Sequence, residues 1–186
     1  MIDGDRRTYV LIDGENIDAT LGSSILGRRP RPEERPRWDR LLQFARETWR
    51  QEPVGLFFLA ANNELPMAFV QALLALGYRP IPLSGESHEK VVDIAIQRTL
   101  AELARREGDV LLVSNDGDFV DGMTTLLDGR RLGVIGFSEF RNHEFTPLVE
   151  RGLETYDLEY DVQAFKERLP RVRIIPIQQF DPAEFL

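Results

Sequence analysis

Four aspartates stand where an α/β chain gathers ligands. Asp13 directly follows the apolar run Tyr9 to Ile12, Asp93 lies three residues after Lys90 in an apolar stretch, and Asp116 and Asp118 lie two residues apart just past Val110 to Val113. Ligands of α/β proteins collect in the crevice beyond the carboxyl ends of parallel strands. Carboxylates packed together repel one another and raise each other's pKa, and a bound hard cation relieves that repulsion. The chain has no cysteine and two histidines, so oxygen must supply most of any metal ligation. Such a set suits hydrolysis of phosphate esters, because a metal neutralises phosphate oxygens and lowers the pKa of a bound water.

Each acid also has an ordinary use. Asp-Gly at 13 and 14 is a common turn pair, Asp118 stands where a helix N-cap before Phe119 would, and Asp93 in a first helical turn suits the helix dipole. Their combination favours a site. Val91, Val92, Ile94 and Ala95 surround Asp93 with apolar neighbours, which turns an acid toward a site rather than toward bulk water. Asp13 and Asp116 are the expected direct ligands, with Asp93 and Asp118 acting through water or as the base that activates it. Lys90 and the arginines of Arg28-Arg29-Pro-Arg31-Pro-Glu-Glu-Arg35-Pro-Arg37 would steer a phosphate backbone toward this acidic mouth. His88 and His143 have no visible partner, and Trp38 and Trp49, at helical spacing, read as core.

The elements that must position these residues alternate. Apolar runs at 8–12, 54–60, 78–83, 109–114 and 131–137 read as strands, and helical spacing falls at 37–51, 65–76, 91–106, 119–127 and 145–152. Alternation of this kind predicts a three-layer α/β/α fold with a mostly parallel sheet of about five or six strands, linked by right-handed crossovers. Between 18 and 36, glycines at 22 and 27 and prolines at 30, 32 and 36 predict a mobile, irregular insertion at about 20–37. Residues 162–169 read as a helix, and 171–177 as a final strand that pairs at a sheet edge or in a homodimer.

At 186 residues, with 42% hydrophobic residues, the chain is sized for a single unit. A net charge of −8 argues against a protein that coats nucleic acid electrostatically, so local charge matters more than the total. The start, Met-Ile-Asp-Gly-Asp-Arg-Arg, has no apolar signal core, and no apolar run approaches a membrane span. The expectation is a cytoplasmic protein with no membrane partner.

Ile12-Asp13-Gly14-Glu15-Asn16, Lys90-Val-Val-Asp93 and Ser114-Asn115-Asp116-Gly117-Asp118-Phe119 resemble the signature blocks of the NYN domain, a branch of the PIN-like nucleases. The resemblance spans about residues 8–140, leaving 141–186 as an extension packed on the same domain. It implies a Rossmann-like sheet and Mg2+- or Mn2+-dependent phosphodiester cleavage, most often of RNA, with DNA a lesser alternative. By motif, Asp13, Asp93, Asp116 and Asp118 are the acidic metal-binding set, and Asn16, Ser114 and Asn115 orient the site or contact substrate. Many relatives carry another acid four residues after the helix aspartate, where this chain has Gln97. Two alternatives stand beside a nuclease: a module of the same fold that binds RNA or nucleotide without cutting, and a magnesium-dependent phosphatase. The phosphatase chemistry needs a second aspartate two residues after the first, where this chain has Glu15. A receiver-like signalling domain should carry an acid after its third strand, but Leu83 leads into Ser84-Gly85.

Overall fold

A computed structural model describes residues 5–62, 64–172 and 174–186. Part of the chain start that was read for a signal core lies outside the described residues, as does Arg173 within the expected final strand. Six parallel strands, β1 (Arg7–Asp13), β2 (Glu52–Ala60), β3 (Arg79–Leu83), β4 (Asp109–Val113), β5 (Leu132–Gly136) and β6 (Glu154–Asp157), pair in the order β3-β2-β1-β4-β5-β6. All five residues of β4 and of β5 are buried, which is why Val110 to Val113 and Leu132–Gly136 read without a polar side. The strand order reverses direction between β1 and β4. This opens a crevice beyond their carboxyl ends, the usual ligand position in such sheets.

Helices cover both faces. One face buries Val10, Ile12, Leu111, Val113 and Ile135 against α1 (Gly14–Ala19), α2 (Trp38–Trp49) and α3 (Met67–Ala75). The other packs Leu11, Val110, Leu112 and Val134 against α4 (Val91–Leu103), α5 (Val120–Thr124) and α6 (Thr146–Glu150). Leu41, Leu42, Ala45 and Trp49 of α2 point inward at the spacing its sequence shows, and Trp38 packs edge-on against Phe57 at 5.1 Å. Core contact here is close enough to fix residue size. A Cβ on Gly55 would stand 2.5 Å from the ring of Tyr78, whose hydroxyl donates to the Trp38 carbonyl at 2.7 Å. Gly55→Ala should therefore cost about 1–3 kcal/mol through overpacking, read as a lower midpoint in urea with an unchanged slope; an unaltered midpoint would show that the ring moves freely.

Three sequence expectations are corrected. The chain stays helical past α1, continuing as a π-helix over Thr20–Leu26 and ending at Gly27 in the left-handed region. Pro30 is buried against Gly22, and Arg35 pairs with Asp18 at 2.7 Å, so the irregular path is confined to residues 27–37 and is broken there by a 3-10 turn at Pro32–Glu34. Residues 162–169 form no helix. Gln163 takes a positive φ of 57°, and Val162, Ala164, Phe165 and Leu169 reach the core from an irregular path. Among the described residues of 171–177 there is no strand, because the guanidinium of Arg171 turns inward; the sheet ends instead with Glu154–Asp157. No helix among the described residues is long and apolar enough to cross a membrane.

Candidate active site

Asp13 closes β1 and caps α1, so its carboxylate sits at the crevice between β1 and β4. It accepts hydrogen bonds from the Asn16 backbone N–H at 3.3 Å and from Ser114 Oγ at 2.9 Å. Only 2% of the residue is exposed. Burial pushes its pKa up from 3.8 to about 6; the two hydrogen bonds resist this, and repulsion from Asp93 and Asp116 adds to it. Asp93, in the first turn of α4, is raised by burial first and then by Asp116, with Lys90 opposing. One carboxylate oxygen each from Asp13, Asp93 and Asp116 lies within 4.8 Å of the others. The cleft they share has a volume of about 340 Å3 and is also lined by Glu15, Asn16, Asn62, Glu89 and Lys90.

A carboxyl whose pKa is raised on folding favours the neutral form in the fold. The stability it confers is complete below its unfolded pKa of 3.8 and is lost as pH rises through about 6. Metal-free protein should therefore be more stable at pH 5.5 than at pH 7.5, by about 1 kcal/mol, and melt at a higher temperature. Added Mg2+ should reverse the order by stabilising more at pH 7.5, where its ligands are ionised. Calorimetric melts in EDTA and in Mg2+ at both pH values read both effects; a metal-free midpoint that falls on acidification would contradict the burial argument.

Short polar links tie the loops around the cleft together. Ser114 Oγ donates to Asp13 and accepts the Asp116 N–H at 3.1 Å, so one hydroxyl sets the spacing of two acids. Asn16 Oδ1 accepts the Asn115 backbone N–H at 2.8 Å, and Asn115 Oδ1 accepts the Phe137 N–H at 2.8 Å. Asn142 donates its N–H to the Asn115 carbonyl at 3.1 Å. The carboxyl ends of β1, β4 and β5 are thereby fastened together. Gly136 permits this, because a Cβ there would collide with the Asn115 side chain.

Other residues singled out in the sequence stand elsewhere. Asp118 lies on a 3-10 turn, is exposed and falls outside the three-carboxylate group; its N–H donates to Asp116 Oδ1 at 2.9 Å. Gln97 donates to the Asp118 carbonyl at 3.3 Å, beside the turn rather than inside the cluster. Arg28 and Arg29 line a separate concavity with Asp18 and Gly22, where Arg28 holds Glu34 at 2.7 Å; Arg31 is exposed and does not line the cleft. Lys90 does line it. His143 borders a neighbouring concavity with Gln97 and Asp118, and His88 is exposed. The sequence reading did not propose Asn62 or Glu89 as lining residues, nor Asn142 as a support. Glu15 stood in plain view inside the first block.

The model of the NYN domain family matches residues 7–159, most of the chain and every element that builds the cleft. The chain belongs to the NYN domain family. This is a PIN-like nuclease domain family, and its members are generally nucleases. None of the curated proteins matches the chain. Among solved structures, the NYN domain described here is similar to a protein of unknown function from Vibrio parahaemolyticus. The two share 17% identity at a TM-score of 0.64, over 87% of this chain and 98% of that one, a likeness that speaks to the fold.

Proposed function

We propose that this NYN domain is a divalent-metal-dependent ribonuclease. The observation that carries the reading is the convergence of Asp13, Asp93 and Asp116 at the reversal point of the sheet. Their donor set fits the ion: it is oxygen only, and its buried member resists ionisation until a cation compensates it. Asp13, Asp93 and Asp116 would hold Mg2+ or Mn2+, which when bound neutralises phosphate oxygens and lowers the pKa of a bound water. The protein's own groups do the positioning. Ser114 fixes the Asp13 oxygen and the turn into Asp116, while Asn16 and Asn115 lock the two strand ends. Lys90, at the rim, meets the phosphate backbone. Asp118, open to water in the neighbouring concavity and close enough to Asp93 to repel it, would take a proton beside the cluster.

Gln97 in place of an acid and the outward position of Asp118 favour a second reading, in which the domain binds RNA without cutting it. End-labelled single-stranded and structured RNA, with DNA alongside, should be incubated with the protein in Mg2+, Mn2+ or EDTA. The nuclease reading expects RNA fragments with either metal, fewer from DNA, and none in EDTA. RNA retained in gel shifts but intact under every metal condition would replace it with the binding reading.

A further inference from the structure

We propose that residues 172–186 of one copy of this chain dock on the outer face of α3 of a second copy, and reciprocally. The inference is independent of the nuclease reading. Two apolar surfaces are left uncovered. The first is the terminal segment, where Val172 is 95% exposed, Ile174 99% and Ile177 76%, with Phe180 and Phe185 stacked on each other at 5.8 Å and also exposed. The second is α3. No charged residue occurs from Leu65 to Tyr78. Val70 and Leu73 face the core, yet Met67 and Leu74, one stripe along the flank of that buried face, are more than half exposed, and Leu76 follows them. A helix that is apolar all round is normally buried, and exposed apolar area on this scale marks a contact surface.

Geometry selects the occupant. The segment leaves the body at Arg171, which is clamped to Asp157 at the end of β6, while α3 packs beside β3 at the opposite edge of the sheet. Five strand spacings, about 24 Å, separate those edges. In its own copy the segment stays near β6, where Glu184 borders a hollow with Glu159 and Tyr160. Sideways growth of the sheet is blocked at both edges. Pro80 and Pro82 within β3 have no N–H to offer a further strand; on β6 the Asp157 N–H is taken by Asp161 at 2.6 Å and the Tyr156 carbonyl by Arg141 at 3.3 Å. A helix face on another copy is what remains. Two reciprocal contacts, each seating half a dozen apolar side chains, would bury on the order of 2,000 Å2, enough for a specific dimer.

The absence of cysteine makes the test direct. Protein carrying Leu74→Cys is mixed with protein carrying Ile177→Cys and oxidised, with each variant alone and the double variant as companions. The proposal expects a disulfide-linked pair in the mixture and none from either variant alone. It further expects native protein to sediment at twice the 21.3 kDa chain mass at about 100 µM, and a chain lacking residues 174–186, which keeps Arg171, to sediment as a folded monomer. Native protein that stays monomeric would overturn it. So would a double variant that closes its disulfide within one chain at monomer mass, since that assigns the segment to its own α3.

Discussion

Asp13→Asn and Asp116→Asn should each lower metal-dependent RNA cleavage by about 10³-fold, equal to roughly 4 kcal/mol of transition-state stabilisation. Asparagine keeps the size of the side chain and one carbonyl oxygen, so the acceptor for Ser114 Oγ can persist at position 13 while the negative ligand is lost. Asp93→Asn should follow the same course, since its carboxylate belongs to the same group. Asp118→Asn separates the roles. If Asp118 takes a proton, its loss should lower kcat and change the pH profile without altering Mg2+ affinity; a loss of Mg2+ affinity would instead place it among the ligands. Stability should move against activity. Removing the buried charge at position 13 should raise the metal-free melting temperature at pH 7.5 by several degrees and abolish the extra protection given by Mg2+. An Asp13→Asn protein that is inactive and also destabilised would point to collapse of the strand end rather than to loss of a ligand.

The parts of this fold that were legible in the sequence are those whose surroundings are uniform. A strand buried on both faces, such as Val110 to Val113, has no polar side to show, and α2 carries its inward stripe in its own spacing. Illegible parts depend on partners far along the chain. Glu154–Asp157 begins and ends with acids because Arg131 meets Glu154 at 2.6 Å and Arg171 meets Asp157 at 2.6 Å, and neither pairing is visible locally. Gly22 and a serine pair between Thr20 and Leu26 look like breakers, yet Leu21 is buried and holds that turn helical against the sheet. The same limit applies at the cleft. Strand ends located Asp13 and Asp116, but a spacing of two could not say whether Asp118 turns in or out, and a 3-10 turn sends it outward. Asn142 gave no local signal at all, since it reaches Asn115 only because β5 lies beside β4.

Arg171→Met should destabilise the fold by about 3–5 kcal/mol, the largest effect expected of any single change outside the cleft. Its side chain is 1% exposed and holds Asp157 at 2.8 and 2.6 Å, Glu139 at 2.6 Å and Glu159 at 3.1 Å, between the rings of Phe137 and Tyr160. The arginine, with hydrogen bonds from Ser138 and Tyr160, keeps the Asp157 carboxyl far below its usual range despite burial. Removing the cation leaves three acids together with only the more distant charge of Arg141 to offset them, and methionine restores volume but not charge. The cost should be greatest near neutral pH and shrink on acidification, as the stranded carboxyls take up protons. Urea titrations of native and Arg171→Met protein at pH 7.5 and pH 5 read both the size and the trend. Equal losses at the two pH values would mean that the arginine acts by packing on Phe137 and Tyr160 rather than by charge. A further pairing with Asp157→Asn tests the coupling: the double variant should regain part of what Arg171→Met loses, because one buried acid has gone with its partner.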